Sequence, residues 1–410
     1  MILMSNLEEL IAELCPDGVE YKLLGDFAVV TRGGNFQKKD FVDCGVPCIH
    51  YGQIYTKYGL FADKTYSHIS NEAASKSKFA TQNDIIMAVT SENIDDVCKC
   101  IAWLGSFDIA VSGHTAIIHH NQNPKYLAYY FHSNMFYAQK IKYAHGTKVI
   151  EVTPNKLLNI KIPLPPLPVQ REIVRILDNF TELTAELTAE LTARKKQYEY
   201  YRDELFKSNH WMNVPLGNVC SLITKGTTPK SYQASGIRFI KTESFLNNVI
   251  SNNKTAFISE ATHIGPLKRS ILQEKDILFT IAGATIGKCA SVEYNNLPAN
   301  TNQALAIIRL NRDIVNQRFI FYILQSNRMS EYIRTKVKGS AQPNLNLRQM
   351  NEFIIPVPPL DEQERIVAIL DRFDTLTNNL SSGLPAEIEA RRKQYEYYRD
   401  KLLTFKEKTS

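Results

Sequence analysis

The sequence predicts an α/β (α+β) fold written twice: two mixed α/β globular regions in tandem repeat, each closed by a long helix, the two helices pairing as a coiled-coil-like spacer. Three observations carry this. RKKQYEYYRD at Arg194–Asp203 returns as RRKQYEYYRD at Arg391–Asp400, with a single substitution. Upstream of each copy stands a second pair, IPLPPLPVQREIVRILDNF from Ile162 and IPVPPLDEQERIVAILDRF from Ile355. Between those segments apolar residues recur at steps of three and four, the period of a helix with one apolar seam. A repeat of this kind governs every later assignment, because each copy is one structural unit.

The helices follow from the seam. In the first repeat it is Ile173, Ile176, Phe180, Leu183, Leu187, Leu191, Tyr198, Tyr201 and Leu205. In the second it is Ile366, Ile369, Phe373, Leu376, Leu380, Leu384, Ile388, Tyr395, Tyr398 and Leu402. A continuous helix from Val169 to Phe206 spans about 57 Å at 1.5 Å per residue. Pro168 suits its first turn, and Asp361 with Glu364 fits a capping box at the start of the second helix. The second helix carries Gly383 and Pro385 in a longer stretch between Phe373 and Ala390. It is expected to break there, because proline removes a backbone donor and clashes with the preceding turn.

Composition sets the class. The chain has 410 residues, 44% hydrophobic and 22% charged, as in a soluble globular protein of several domains. No apolar run reaches the roughly 18 residues of a membrane span. The leading MILMSNLEELIAEL has acids and no basic segment, unlike a secretion signal. Seven cysteines, with no zinc-like spacing, point to buried free thiols in a reducing cytoplasm. The boundaries read as a globular region over 1–165, a helical stretch over 166–208, a second globular region over 209–358 and a second helical stretch over 359–410. Net charge is +6. Residues 209–360 hold 17 Lys and Arg against 8 Asp and Glu, while each helical stretch is slightly acidic. Residues 21–167 hold 15 against 11. A polyanion would therefore meet the globular parts.

Residues 1–20 read as a short amphipathic helix ending at Cys15-Pro16-Asp17-Gly18. Short apolar runs bounded by Gly, Asn and Ser read as strands: Val46–Ile49, Asp84–Val89, Ala116–Ile118, then Ile237–Ile240, Ile277–Ile281 and Leu305–Leu310. Tyr126–Tyr143 and Val315–Lys336 read as helices. The two regions correspond in layout. Leu24-Gly25 matches Leu216-Gly217, Val46–Ile49 matches Ile237–Ile240, and Asp84-Ile85-Ile86 matches Asp276-Ile277-Leu278. Ser112–Thr115 is aligned with Asn300–Gln303. The loops differ almost everywhere, so a fixed frame presents two different surfaces.

No catalytic constellation emerges. Gly283–Lys288 is a poor phosphate loop, since only three residues separate its glycines and Cys289 stands where Ser or Thr is needed; it reads as a strand-end turn. Pro16-Asp17 with Glu20-Tyr21-Lys22 leaves no room for the strand and turn of a nuclease acid–acid–lysine site. Hydrolase, metalloprotease, dinucleotide and amino-methyltransferase motifs are missing from the sequence. What remains is binding. Basic, amide and aromatic loop residues suit duplex DNA, where cations hold phosphate and Arg, Lys, Asn and Gln read base edges. In the first region these are Arg32, Asn35, Gln37, Lys38, Lys39, His50, Tyr51, Gln53, Tyr55 and Lys57. In the second they are Lys225, Thr227, Thr228, Lys230, Lys241, Glu243, Asn302, Gln303, Lys338, Gln342 and Asn344.

Two divergent globular regions, each closed by PPL-x-x-Q-x-x-IV-x-IL and a helix ending KQYEYYRD, resemble the specificity subunit (HsdS) of type I restriction–modification systems. The resemblance covers nearly the whole chain, and the tandem TAEL at Thr184–Leu187 and Thr188–Leu191 is similar to the type IC branch. It implies two target-recognition domains, each reading half of a split DNA site, with helices paired antiparallel in pseudo-twofold symmetry. It implies a subunit without catalysis of its own. Two methyltransferase subunits would bring S-adenosylmethionine, and restriction subunits would bring ATP and Mg. The repeated starts at Pro166, Leu167 and Gln170, and at Pro359, Leu360 and Gln363, are expected to dock the methyltransferases. Two other classes fit less of the sequence: a DNA methyltransferase or nuclease with unrecognised motifs, and a coiled-coil scaffold with no DNA role.

Overall fold

The computed structural model describes residues 2–208, 210–337, 344–378 and 382–408. They form two compact units. One joins Met1–Glu186 to Ile388–Ser410, and the other is Leu187–Glu387. The boundary falls inside the tandem TAEL. Each unit thus holds one globular region, the opening turns of the helix that follows it, and the closing decapeptide of the other repeat.

In the first unit a five-stranded sheet runs in the order Ala28–Arg32, Thr115–His120, Ile85–Ala88, Cys100–Trp103, Phe61–Ala62. A second has the order Phe41–Val42, Ser67–Ile69, Val46–Ile49, Ile109–Val111, Lys78–Ala80. Pairing is antiparallel except where Cys100–Trp103 meets Phe61–Ala62 and where Ile109–Val111 meets Val46–Ile49. The Ile85–Ala88 strand is apolar throughout because both its faces are covered. Ile85 and Met87 join the large core under the helix Pro124–Phe131, and Ile86 and Ala88 join a second core with Trp103. The second unit repeats the plan. A four-stranded antiparallel sheet has the order Cys220–Lys225, Leu305–Leu310, Ile277–Thr280, Cys289–Ser291, beside a three-stranded one of Ala256–Ile258, Ile237–Ile240 and Ala299–Thr301. Ile277 and Phe279 face one core and Leu278 the other. Among the seven thiols five are buried, Cys220 is partly so and Cys44 is exposed.

The long helix is continuous from Leu167 to Leu205, 39 residues, with Pro168 in its first turn as expected. The second-repeat helix is interrupted as expected: one helix ends at Asn378 and the next begins at Leu384. Gly383 has φ +78°, and a Cβ there would lie 2.6 Å from the Thr375 carbonyl oxygen, so glycine alone suits the position, and its carbonyl accepts the Glu387 N–H at 3.2 Å to open the next helix. Pro385 follows in the first turn of the new one, where its missing donor costs nothing. Three expectations are corrected. Asp361 lies inside the first turn of Leu360–Asn378 instead of capping it. The expected helices Tyr126–Tyr143 and Val315–Lys336 are each two helices, Pro124–Phe131 with Asn134–Lys140, and Gln317–Leu324 with Asn327–Lys336. Ser133 and Ser326 stand at the breaks as N-caps, the place where a short hydroxyl competes best with helix continuation.

Candidate nucleic-acid interface

The globular region of each unit is held to its helices by the same contacts. In the first, Gln170 Oε1 accepts from the Asn123 backbone N–H at 3.0 Å, and its Nε2 donates to the Pro165 carbonyl and to Gln122 Oε1, both at 2.8 Å. In the second, Gln363 Oε1 accepts from Asn316 N–H at 2.8 Å, and Nε2 donates to the Pro358 carbonyl at 2.8 Å. Asn123 and Asn316 are the N-caps of Pro124–Phe131 and Gln317–Leu324. Both glutamines are 0% exposed. Their expected role in docking a partner is therefore corrected: they fasten the domain to its helix and offer no surface. About two turns further on, Asp178 accepts from Lys125 and the Tyr129 hydroxyl at 2.6 and 2.7 Å. Asp371 accepts from Arg318 and the Tyr322 hydroxyl at 2.6 and 2.5 Å.

The repeated decapeptide completes the frame. Asp400 Oδ1 accepts from the Asn134 N–H, and Asp203 Oδ1 from the Asn327 N–H, each at 3.1 Å. Each carboxylate thus meets the positive N-terminal end of a short helix. Tyr398 stacks on Phe180 at 5.3 Å in the first unit, and Tyr201 on Phe373 at 6.3 Å in the second. Arg202 and Arg399 are buried beside Tyr198 and Tyr395.

On this frame three loops of the first unit converge. The chain leaving Ala28–Arg32 bends at Gly33 and Gly34 against the turn between Ile109–Val111 and Thr115–His120. A Cβ on Gly33 would lie 2.1 Å from the Ser112 carbonyl oxygen, so only glycine permits the approach. The third loop starts the helix Tyr51–Thr56, whose Tyr51 N–H donates to Ser112 Oγ at 2.8 Å. The sequence candidates divide here. Asn35, Gln37, Lys38, Lys39 and Lys57 are exposed. Arg32 is exposed but engaged, donating from Nε to the Gly113 carbonyl at 2.9 Å and pairing with Glu151 at 3.3 Å. Tyr51 is half-buried, and the Tyr55 hydroxyl donates to the Thr90 carbonyl at 2.8 Å. His50 and Gln53 are corrected. Both are buried, His50 Nδ1 accepting from Gly52 N–H and Gln53 Oε1 from His50 N–H, so they cap the helix Tyr51–Thr56 instead of facing a ligand. Burial pushes the His50 imidazole down to about 4, aided by Lys38 and His114 nearby. Sequence reasoning passes over His114, an exposed side chain at the tip of the same turn.

In the second unit Lys225, Thr228 and Lys230 are exposed and Thr227 half-buried on the loop after Cys220–Lys225. A Cβ on Gly226 would lie 2.0 Å from the Thr301 carbonyl oxygen, the counterpart of Gly33. The Thr228 hydroxyl donates to Gln303 Oε1, and Asn302 Oδ1 accepts from Ala304 N–H at 3.2 Å. Lys241 and Glu243 pair with each other at 2.8 Å, which raises the lysine and lowers the carboxylate. Asn344 is exposed, bridging Ala282 through its backbone. Lys338 and Gln342 lie outside the described residues. Strand pairing corrects the alignment of the two units. Val111 lies against Ile49 as Thr301 lies against Ile240, so Ser112-Gly113-His114 corresponds to Asn302-Gln303-Ala304, two residues along from the sequence match. Leu167 and Leu360, each 42% exposed, and the neighbouring Pro166 and Pro359 remain open to a partner.

The sequence model of the family described as "Type I restriction modification DNA specificity domain" matches residues 16–194 and again 208–390. The specificity subunit of the Escherichia coli type I restriction enzyme EcoR124I/EcoR124II is 35% identical over 259 residues, 60% of this chain and 63% of that one. The chain thus aligns with less than two thirds of that relative. A putative type I restriction enzyme specificity subunit of Haemophilus influenzae is 35% identical over 294 residues, 68% of this chain and 71% of that one. A solved chain from work on complex assembly and conformational transition of the type I R-M system matches with TM-score 0.64 at 20% identity, covering 94% of this chain and 97% of that one. The crystal structure of the type I S subunit from M. genitalium matches with TM-score 0.50 at 14% identity, covering 94% and 96%.

Proposed function

The chain belongs to the type I restriction modification DNA specificity family, and from that membership we propose that it is the DNA-reading subunit of a modification and restriction complex. In this reading residues 1–165 and 209–358 are target-recognition domains, each binding one half of a bipartite duplex site. Residues 166–208 and 359–410 are the spacers that set the gap. The observation that carries the proposal is one scaffold used twice with different side chains at its tips. The glycine-dependent loop approach at Gly33 and at Gly226 is common to both units, while the exposed residues around it are not. The excess of Lys and Arg on the globular regions favours a polyanion there.

The chain holds no methyl donor in this reading and transfers no methyl group itself. Two methyltransferase subunits supply S-adenosylmethionine chemistry, restriction subunits supply ATP and Mg, and the complex works in the cytoplasm. The docking surface for the methyltransferases is found among repeated residues that packing does not explain. Within the decapeptide, Tyr198, Arg202 and Asp203 and their counterparts are used internally. Tyr200 and Tyr397 are each 62% exposed, and Lys196 and Lys393 are exposed one turn before them. A bulky aromatic retained twice on an exposed helix face fits two copies of one partner. Leu167 and Leu360 supply a second repeated apolar point.

The test is to incubate purified chain with S-adenosylmethionine and DNA, alone and with its methyltransferase subunit. Methylation of a split site only in the mixture is the expected result. Methyl transfer by the chain alone would establish it as an enzyme, and binding indifferent to DNA sequence in the mixture would make it a scaffold.

A further inference from the structure

We propose that His114, carried on the ring of Tyr51, reads a base pair of the half-site bound by the first domain. The inference rests on the DNA-reading function above and adds a residue to it. Four backbone hydrogen bonds fix the turn on which His114 stands. Gly33 N–H donates to the Thr115 carbonyl at 3.0 Å, Gly34 N–H to Val111 at 2.7 Å, Thr115 N–H to Ser112 at 3.2 Å, and Val89 N–H to His114 itself at 3.0 Å. The second unit makes the same four: Gly226 to Leu305 at 3.2 Å, Thr227 to Thr301 at 3.0 Å, Leu305 to Asn302 at 3.3 Å, and Ile281 to Ala304 at 2.9 Å. The turn is one piece of backbone built twice.

Its side chains are not repeated. The first unit has Gly113 and His114 where the second has Gln303 and Ala304. In the first unit the polar group is the imidazole, its ring 5.0 Å from that of Tyr51. In the second it is the Gln303 amide, bonded to Thr228. Contacts that hold a duplex in register can be alike in both domains, whereas contacts that tell bases apart must differ wherever the half-sites differ. A side chain that changes on an unchanged, well-fastened turn meets that requirement.

His114 is also available. Among the described residues no hydrogen bond engages either of its ring nitrogens, while Arg32, His50, Gln53 and Tyr55 nearby are all committed within the chain. The buried Ser112 and Thr115 on either side, with Thr115 Oγ1 donating to the Ser112 carbonyl at 2.5 Å, leave the backbone little freedom. Tyr51, anchored through its N–H to Ser112 Oγ, supports the ring from the side. A donor and acceptor held in this way loses little entropy on meeting a base edge. Phosphate needs no such placement, and the exposed Lys38 and Lys39 on the adjoining loop serve it.

The experiment uses the complete complex of this chain with its methyltransferase subunit and a library in which each position of both half-sites is varied. With H114A and H114N, discrimination at one base pair of one half-site should fall roughly tenfold or more. The other half-site and the salt dependence of binding should stay as in the wild type. Normal assembly with the methyltransferase shows that the variants are folded. Unchanged preference in both variants overturns the inference, as does weakening that is uniform over all sequences with a shallower salt slope, which is the mark of a phosphate contact. A wild-type complex with no sequence preference would instead remove the DNA-reading function itself.

Discussion

Gln170 and Gln363 do one job in two places, and its cost can be measured. Each satisfies the free N–H of a helix-capping asparagine and a carbonyl of the proline segment, wholly away from solvent. Replacing either with leucine strands those backbone groups, at about 1–3 kcal/mol for each buried group left unpaired. Q170L should destabilise the first unit and Q363L the second. Each unit carries one tryptophan, Trp103 and Trp211, so urea unfolding of W211F and W103F backgrounds reports them separately. Unchanged midpoints would return these glutamines to a role outside the fold. Their repetition is legible in the sequence and their orientation is not, because a lone sequence shows which helix positions recur but not which face the domain covers. Acid tests the first unit from another side. Burial depresses His50, His120 and His132 to about 4 from the ordinary value near 6.5. The unfolded chain therefore binds protons that the folded unit refuses. Stability from these groups is complete above about pH 6.5, falls as the pH drops from there, and levels off below about 4. The Trp103-reported urea midpoint should be lower at pH 5 than at pH 7.5, and an equal midpoint would mean these imidazoles can charge without opening the fold.

The long helix is the element most legible in the sequence. Its extent, its proline start and the break of its counterpart near Gly383 all follow from spacing and backbone chemistry. The seam is read less well, because a period fixes a stripe and not its depth. Leu183, Tyr201 and Leu376 belong to the predicted stripe yet are exposed, while Leu177 and Arg202 lie off it and are buried. The tandem TAEL is where the two compact units divide, and that makes it the element to lengthen. One further TAEL after Leu191 adds four residues, close to one turn, so the apolar pattern continues in phase. The insertion extends the helix by about 6 Å and turns its far end by about 40°. A base-pair step advances about 3.4 Å and turns about 35°. The rotation matches one step and the translation lies between one and two, so the gap between half-sites should grow by about one base pair where packing absorbs the remainder, or by two, with both half-sites unchanged, as read by sequencing the methylated sites of cells that express the variant. A constant gap, or new half-site bases, would show that this helix is not the ruler.

At the scale of the whole chain, the repeat is plain in the sequence while the construction of each unit is not. The decapeptide that ends one repeat packs against the globular region of the other, a pairing between residues 266 positions apart at Asn134 and Asp400 and 124 apart at Asp203 and Asn327. Local periodicity carries no information about such a partner. The same limit explains the two-residue error in matching the turn at Ser112–His114 to its counterpart, since only strand pairing fixes that register. The construction has a consequence for exchange of domains. The helices grip the first globular region in part through backbone groups at helix starts, the N–H of Asn123 and of Asn134, beside the side-chain bonds of Asp178 to Lys125 and Tyr129 and of Asp400 to Asn134. Backbone groups survive replacement of loop side chains. A domain from a relative with the same helix starts should therefore seat on this frame with its own recognition loops intact. Exchanging residues 21–164 in this way should replace one half-site and leave the other half-site and the gap as they were, read from the methylated sites of the hybrid. Alteration of both half-sites would mean that the two domains do not read DNA independently. Loss of all modification by an assembled hybrid would mean that the grip needs side chains beyond Lys125, Tyr129 and the capping asparagine.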